Sequence, residues 1–190
     1  MNFCVLYGSY REPRLGIRLA NYLVKILKER RHEVNFLDAR EINLPIINKR
    51  IFDYKPDEVP EILQRISKQL YEADGFVLVA GEYNYSIQPG LKNLLDHFYK
   101  EYFHRPAALA TYSSGSFGGI RSGTHLLGVA NSLSMPIIPS TLSVPRLQDQ
   151  FAEEGVPNDP AMADRVYKFI NHLEWYARAL KAEREKGLPN

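Results

Sequence analysis

The sequence predicts a doubly wound α/β fold, a five-stranded parallel sheet with helices on both faces, built by residues 1–190 as one domain. Three observations carry that expectation. Phe76-Val77-Leu78-Val79-Ala80 is an uninterrupted apolar run, which fits a parallel strand covered on both faces at the middle of a sheet. Shorter apolar runs alternate with stretches of helical period along the rest of the chain. Three loops rich in Gly, Ser and polar residues, 8–16, 81–90 and 112–119, each follow such a run, and in an open α/β sheet the carboxyl edge is where ligands bind.

Taken in order, Phe3 to Tyr7 reads as the first strand. Pro13 is placed in the first turn of a helix on which Leu15, Leu19, Tyr22, Leu23, Ile26 and Leu27 recur at helical spacing. Val34 to Leu37 is the second strand. Residues 43–60, with Pro45, Pro56 and Pro60 among Ile46, Ile47, Ile51, Phe52 and Tyr54, read as a long loop packed by its own apolar groups. Val59, Ile62, Leu63, Ile66 and Leu70 mark the helix that leads into the central strand. After loop 81–90, Leu91, Leu94, Leu95 and Phe98 share one helix face. Pro106 to Thr111 is the fourth strand, and a helix spans Ile120 to Leu133. A fifth, Pro-interrupted strand region follows over 135–144, then a polar loop from Gln148 to Pro160. Val166, Phe169, Ile170, Leu173, Tyr176, Ala177 and Leu180 mark the closing helix, and Lys181 to Asn190 reads as a solvated tail.

Composition narrows the partners. The net charge is +2 with Lys and Arg scattered, which argues neither for nucleic acid nor for an anionic membrane, and neither partner is expected. No apolar run reaches the length of a membrane span, and no signal-peptide core follows Met1, so a soluble, cytoplasmic protein is expected. Cys4 is the single cysteine and falls in a buried strand, so a structural thiol without disulfide or metal is expected.

The three loops carry the chemistry. In the first, Gly8-Ser9 and Arg11 precede a helix start, a combination that offers backbone N–H groups and a guanidinium to a phosphate. The second sets Glu82, Tyr83 and Asn84 directly after the central strand, which suits a flat heteroaromatic ligand needing contact on its face and hydrogen bonds at its edge. In the third, glycines at 115, 118 and 119 let the main chain approach a ligand closely. Taken alone, the first also reads as a Ser N-cap with a surface Arg, the second as Tyr83 roofing the core, and the third as an ordinary strand-to-helix turn.

Gly8-Ser9-x-Arg11, Glu82-Tyr83-Asn84-x-Ser86 with Leu91-Lys92-Asn93-x-x-Asp96, and Ser114-Gly115-x-x-Gly118-Gly119 together resemble the NADPH-dependent FMN reductase family of flavodoxin-like enzymes, over roughly residues 1–145. The resemblance implies bound FMN, NADPH or NADH as electron donor, and a small-molecule acceptor such as a quinone, azo or nitro compound, a metal oxyanion or a free flavin. It further implies that Ser9 and Arg11 hold the FMN phosphate, and that Gly81, Glu82, Tyr83 and Asn84 line the isoalloxazine. Ser113, Ser114, Gly115 and Gly118 would close on the far edge of the ring. Arg14, at the helix start and facing outward, is expected to meet the 2′-phosphate of NADPH.

No catalytic acid or metal ligand is demanded by such a mechanism. A flavodoxin-type electron carrier is the non-enzyme alternative. A serine hydrolase is the other, since Ser114-Gly115-Ser116-Phe117-Gly118 approaches a nucleophile elbow and His125 and His172 lie downstream. Tyr99, Tyr102 and Phe103, with His97 and His104, extend round the helix after loop 81–90. They lead to the expectation of a homodimer or homotetramer built there.

Overall fold

The computed structural model describes residues 1–188. Its elements are β1 (Asn2–Tyr7), α1 (Ile17–Glu29), β2 (Glu33–Asp38), α2 (Ala39–Ile42), α3 (Glu61–Glu72), β3 (Gly75–Tyr83), β4 (Ser86–Ile87), α4 (Pro89–Asp96), β5 (Ala107–Tyr112), α5 (Ile120–Ser132), β6 (Leu142–Val144), α6 (Leu147–Gln150) and α7 (Pro160–Arg184). The parallel strands run in the order β2-β1-β3-β5-β6, the flavodoxin-like order, with β3 at the centre. An isolated bridge from Ala107 to Ile137 precedes β6, so the last strand is interrupted at its prolines as the sequence predicts.

Strand alternation sorts the core into two layers. Phe3, Val5, Tyr7, Val77 and Val79 face α1 and α7. Cys4, Leu6, Phe76, Leu78 and Ala80 face α3, α4 and α5. All ten side chains are fully buried. Burial pushes the Cys4 thiol up to about 12, against smaller opposing effects of Asn35 and Arg105, so the cysteine is a packed, protonated group.

Several boundaries differ from the sequence expectation. Pro13 lies in the loop and not in a helical turn: its carbonyl accepts the Leu15 N–H at 3.1 Å, and α1 begins at Ile17. Residues 81–90 are not a free loop. β3 continues to Tyr83 and turns through Asn84 (φ 47°) and Tyr85 (φ 70°) into antiparallel β4, a tight hairpin.

The helix that follows stops at Asp96, and Tyr102, expected from the sequence on an outer interface, packs inside the chain. Its ring meets Phe76 edge-on at 5.5 Å, and its hydroxyl donates to the Leu95 carbonyl at 3.3 Å. Tyr99 contacts Phe52 from loop 43–60, with ring centroids 6.2 Å apart. That loop is held less by its own apolar groups than by α4. Asn93 accepts the Ile47 N–H at 2.9 Å and donates to the Pro45 carbonyl at 2.9 Å, and Ile46 is 87% exposed.

The expected tail at 181–190 is helical to Arg184, because Lys181 and Arg184 pair with buried Asp74 at 3.1 and 3.2 Å. Residues 189 and 190 lie outside the described residues.

Candidate functional site

The chain leaves β1 toward β2 on one side and enters β3 on the other, so the ends of β1 and β3 form the switch point of the sheet. A cleft of about 260 Å³ opens there. Ser9, Arg11, Glu12, Pro13 and Leu15 line it from the first loop, Gly81, Glu82 and Tyr83 from the end of β3, and Tyr112, Ser113 and Ser114 from the end of β5. The topology thus brings together seven of the residues singled out in the sequence: Ser9, Arg11, Gly81, Glu82, Tyr83, Ser113 and Ser114.

The first loop is rich in free donors. Among the described residues, the backbone N–H groups of Ser9, Tyr10, Arg11 and Glu12 donate to no protein acceptor. The Arg11 side chain is exposed and makes no ion pair among the described residues. Ser9 is buried, with its Oγ 3.0 Å from the Tyr83 hydroxyl. Unpaired N–H groups beside an uncompensated guanidinium are the donor set a phosphate monoester needs.

Arg14 does not face outward. Its guanidinium reaches Asp38 at 2.5 Å, its Nε donates to the Ser9 carbonyl at 3.0 Å, and it lies 5.0 Å from the centre of the Tyr7 ring. Asp38 is 5% exposed, and this buried carboxylate draws the arginine inward, where it braces the first loop from behind.

The second wall is the β3–β4 hairpin. Glu82 lines the cleft while its carboxylate accepts from the Arg121 side chain and from the Arg121 backbone N–H, both at 3.3 Å. Asn84 sits at the exposed turn and does not line the cleft. Behind this wall runs a buried polar chain. Gln88 accepts the Gly81 N–H and donates to the Tyr112 hydroxyl, each at 2.8 Å, and that hydroxyl donates to Tyr7 at 3.4 Å. Burial holds the Tyr112 pKa well above its usual value, so the phenol stays protonated. Tyr112 fits there because two glycines face it: a Cβ on Gly16 would meet its ring at 2.0 Å, and one on Gly81 at 2.7 Å.

In the third loop, the Ser113 hydroxyl donates to the Gly115 carbonyl and accepts the Gly118 N–H, both at 2.9 Å. Gly115 and Gly118 therefore shape the loop without lining the cleft, and Gly118 needs its positive φ of 62°. The serine-hydrolase alternative finds no support in this geometry. His125 Nδ1 is 2.9 Å from Ser86, and His172 pairs with Ser140, so neither imidazole serves Ser114 or Ser116.

A neighbouring cavity of about 320 Å³ lies across Tyr83, lined by Gly8, Tyr10, Asn43, Leu44, Ile46, Pro89, Gly90 and Asn93. It is larger but carries no charged side chain, whereas the smaller cleft is lined by Arg11, Glu12 and Glu82.

The profile of the family described as NADPH-dependent FMN reductase matches residues 1–149. The chain belongs to that family. It is an NAD(P)H-dependent oxidoreductase that uses FMN. Among named relatives, an NAD(P)H:quinone oxidoreductase of Solanum tuberosum is 28% identical over 192 aligned residues, covering 95% of this chain and 94% of that protein. An NAD(P)H-dependent FMN reductase of Nectria sp is 28% identical over 152 residues, covering 74% and 73% of the two chains. The flavoenzyme NAD(P)H:(acceptor) oxidoreductase FerB of Paracoccus denitrificans superimposes with a TM-score of 0.73 over 95% of this chain and 97% of its own, at 20% identity, and shows the shared fold.

Sequence reasoning about this FMN reductase missed Gln88, Tyr112 and Arg121. Tyr112 stands next to Ser113 and Gln88 lies between Ser86 and Leu91, but only the contact between them, 24 residues apart in sequence, makes either one part of the site. Arg121 looks like any solvated arginine in the first turn of a helix.

Proposed function

We propose that this FMN reductase holds FMN in the cleft at the ends of β1, β3 and β5, and delivers electrons from NAD(P)H to a small-molecule acceptor of the quinone class. The observation that carries the reading is the convergence of free N–H donors and Arg11 in one loop with a hairpin wall and a Ser-Gly wall opposite. In this reading the backbone of residues 9–12, Ser9 and Arg11 hold the phosphate. Gly81, Glu82 and Tyr83 lie along the ring, with Asn84 at its rim. Ser113 and Ser114 face the other edge, and Gly115 and Gly118 keep their loop close. Arg14 acts from behind, by fixing the Ser9 carbonyl.

When bound, FMN supplies hydride acceptance from a nicotinamide and electron delivery to a second substrate. The protein's part is to hold, orient and polarise. No side chain in the cleft needs to exchange a proton during turnover. Glu82 is engaged with Arg121, and the neutral Tyr112 hydroxyl is engaged with Gln88 and Tyr7. The quinone class is favoured over other acceptors by the names of the plant and bacterial relatives.

The same reading has residues 1–190 acting as one domain, in the cytoplasm where the nicotinamide donor is made, and as a homodimer or a dimer of dimers. With Tyr102 inside the chain, dimerisation rests on other residues. Phe117, Ile120 and Leu127 leave 59%, 57% and 48% of their surfaces exposed along α5 and the loop before it. Ile120→Glu with Leu127→Glu should convert a sedimenting dimer to a monomer. A monomer in the unmodified protein at micromolar concentration would remove the dimer from the proposal.

The test of the site is reconstitution. Refolded or stripped protein should take up one FMN per chain and no FAD, with flavin fluorescence quenched on binding. Uptake of FAD in preference, or of no flavin, would refute the placement.

A further inference from the structure

Two carboxylates line the cleft, and each is paired with an arginine that does not line it: Glu12 with Arg40, and Glu82 with Arg121. Arg11 is thereby the uncompensated charge of the wall. The Glu82–Arg121 pair is the better built of the two. The Arg121 guanidinium lies 4.0 Å from the centre of the Tyr85 ring and 4.5 Å from that of Phe117, between an aromatic ring of the hairpin and one of the third loop. Side-chain exposure is 33% for Arg121 and 12% for Glu82. One turn further along α5, His125 meets Ser86 of the hairpin at 2.9 Å. The hairpin is thus seated on α5 through residues 121 and 125, and Arg121 ties it to the opposite wall through Phe117.

We infer that Arg121 is a positioning residue that tunes the bound flavin, by holding the hairpin wall in place and cancelling the Glu82 carboxylate at the edge of the cleft. The inference rests on the proposed FMN site. Two-electron-reduced FMN carries more negative charge than oxidised FMN near neutral pH, so an unpaired carboxylate in the wall opposes reduction and an unpaired guanidinium favours it. Its consequence is an order of midpoint potentials that mere structural damage does not produce.

The experiment measures, for wild type, Arg121→Gln, Arg121→Lys, Glu82→Gln and the Glu82→Gln/Arg121→Gln double variant, the FMN dissociation constant and the midpoint potential by anaerobic dye equilibration. Arg121→Gln should bind reduced FMN about tenfold less well relative to oxidised FMN, a shift of about 30 mV downward for a two-electron couple. Glu82→Gln should shift upward. The double variant should return to within about threefold of the wild-type ratio while still binding FMN more loosely, because the seating of the hairpin is lost. Arg121→Lys keeps the charge and loses the stacking and the two-point grip, so it should loosen FMN at an unchanged potential.

If wild-type protein takes up no FMN, the site reading fails and the inference with it. If FMN binds normally but Arg121→Gln leaves the potential unchanged or raises it, or the double variant stays at the Arg121→Gln value, the inference alone is overturned.

Discussion

The side-chain amide of Gln88 donates to the Tyr112 hydroxyl at 2.8 Å while its own carbonyl accepts the Gly81 N–H, and nothing of Gln88 is exposed. One residue of α4's N-terminal boundary therefore joins the ends of β3 and β5 directly beneath the cleft. Gln88→Leu keeps the volume but strands the buried Gly81 N–H and takes from the Tyr112 hydroxyl the donor it accepts from. It should cost about 2–4 kcal/mol in urea unfolding and weaken FMN binding. An unfolding midpoint equal to that of wild type would show that this bridge carries no stability.

Arg11 and Arg14 are three residues apart and predicted to behave oppositely. Arg11→Ala should leave the unfolding midpoint of the flavin-free protein unchanged and lower FMN affinity by about ten- to a hundredfold, through loss of a charged hydrogen bond worth about 1.5–3 kcal/mol. Arg14→Ala removes the partner of buried Asp38 and should destabilise the flavin-free protein by about 2–3 kcal/mol. Because Arg14 is turned inward, its loss should not discriminate between NADPH and NADH. A KM rise for NADPH alone in Arg14→Ala would restore the outward-facing role expected from the sequence.

Acid sensitivity should centre in part on Glu174, far from the cleft. Burial would raise its pKa, but the hydrogen bond with His32 at 2.8 Å and the pairing with Arg30 at 3.1 Å outweigh it and lower the pKa from the usual 4.5. A folded-state pKa below the unfolded value contributes stability that is complete above about pH 4.5 and is lost as pH falls through the folded value. Glu174→Gln should therefore be less stable than wild type near neutrality, with the gap narrowing as the pH falls below about 4.5. A gap that is constant across that range would assign the effect to packing instead.

What could be read from the chain divides along the range of the interactions. Phe76–Ala80 and the helical spacing of Leu91, Leu94 and Leu95 are local patterns, and they led to the strand order's central member and to the helix behind the cleft. The closing helix was legible to Leu180. Its last turn was not, because it is held by Asp74, over a hundred residues away in sequence. The hairpin is not legible as one because β4 is two residues long and its turn is Asn-Tyr rather than Asn-Gly. The inward turn of Arg14 is hidden for the same kind of reason. A helix-start arginine reads as solvated until the end of β2 is seen to set Asp38 against it. That Ser9, Arg11, Glu82 and Tyr83 share one cleft is legible because loops at the carboxyl ends of adjacent parallel strands must meet, whatever their details.

The central claim is that the cleft between Ser9–Leu15, Gly81–Tyr83 and Tyr112–Ser114 holds FMN where NAD(P)H reduces it. The most direct measurement is an anaerobic titration of the reconstituted protein with NADPH and, separately, with NADH, following flavin absorbance, with Arg11→Ala alongside. The account predicts stoichiometric bleaching of one FMN per chain by at least one nucleotide, recovery of the colour on adding a quinone, and a much smaller bound-flavin signal in Arg11→Ala at the same protein concentration. FMN that stays oxidised under both nucleotides, or that binds Arg11→Ala as tightly as wild type, would contradict it.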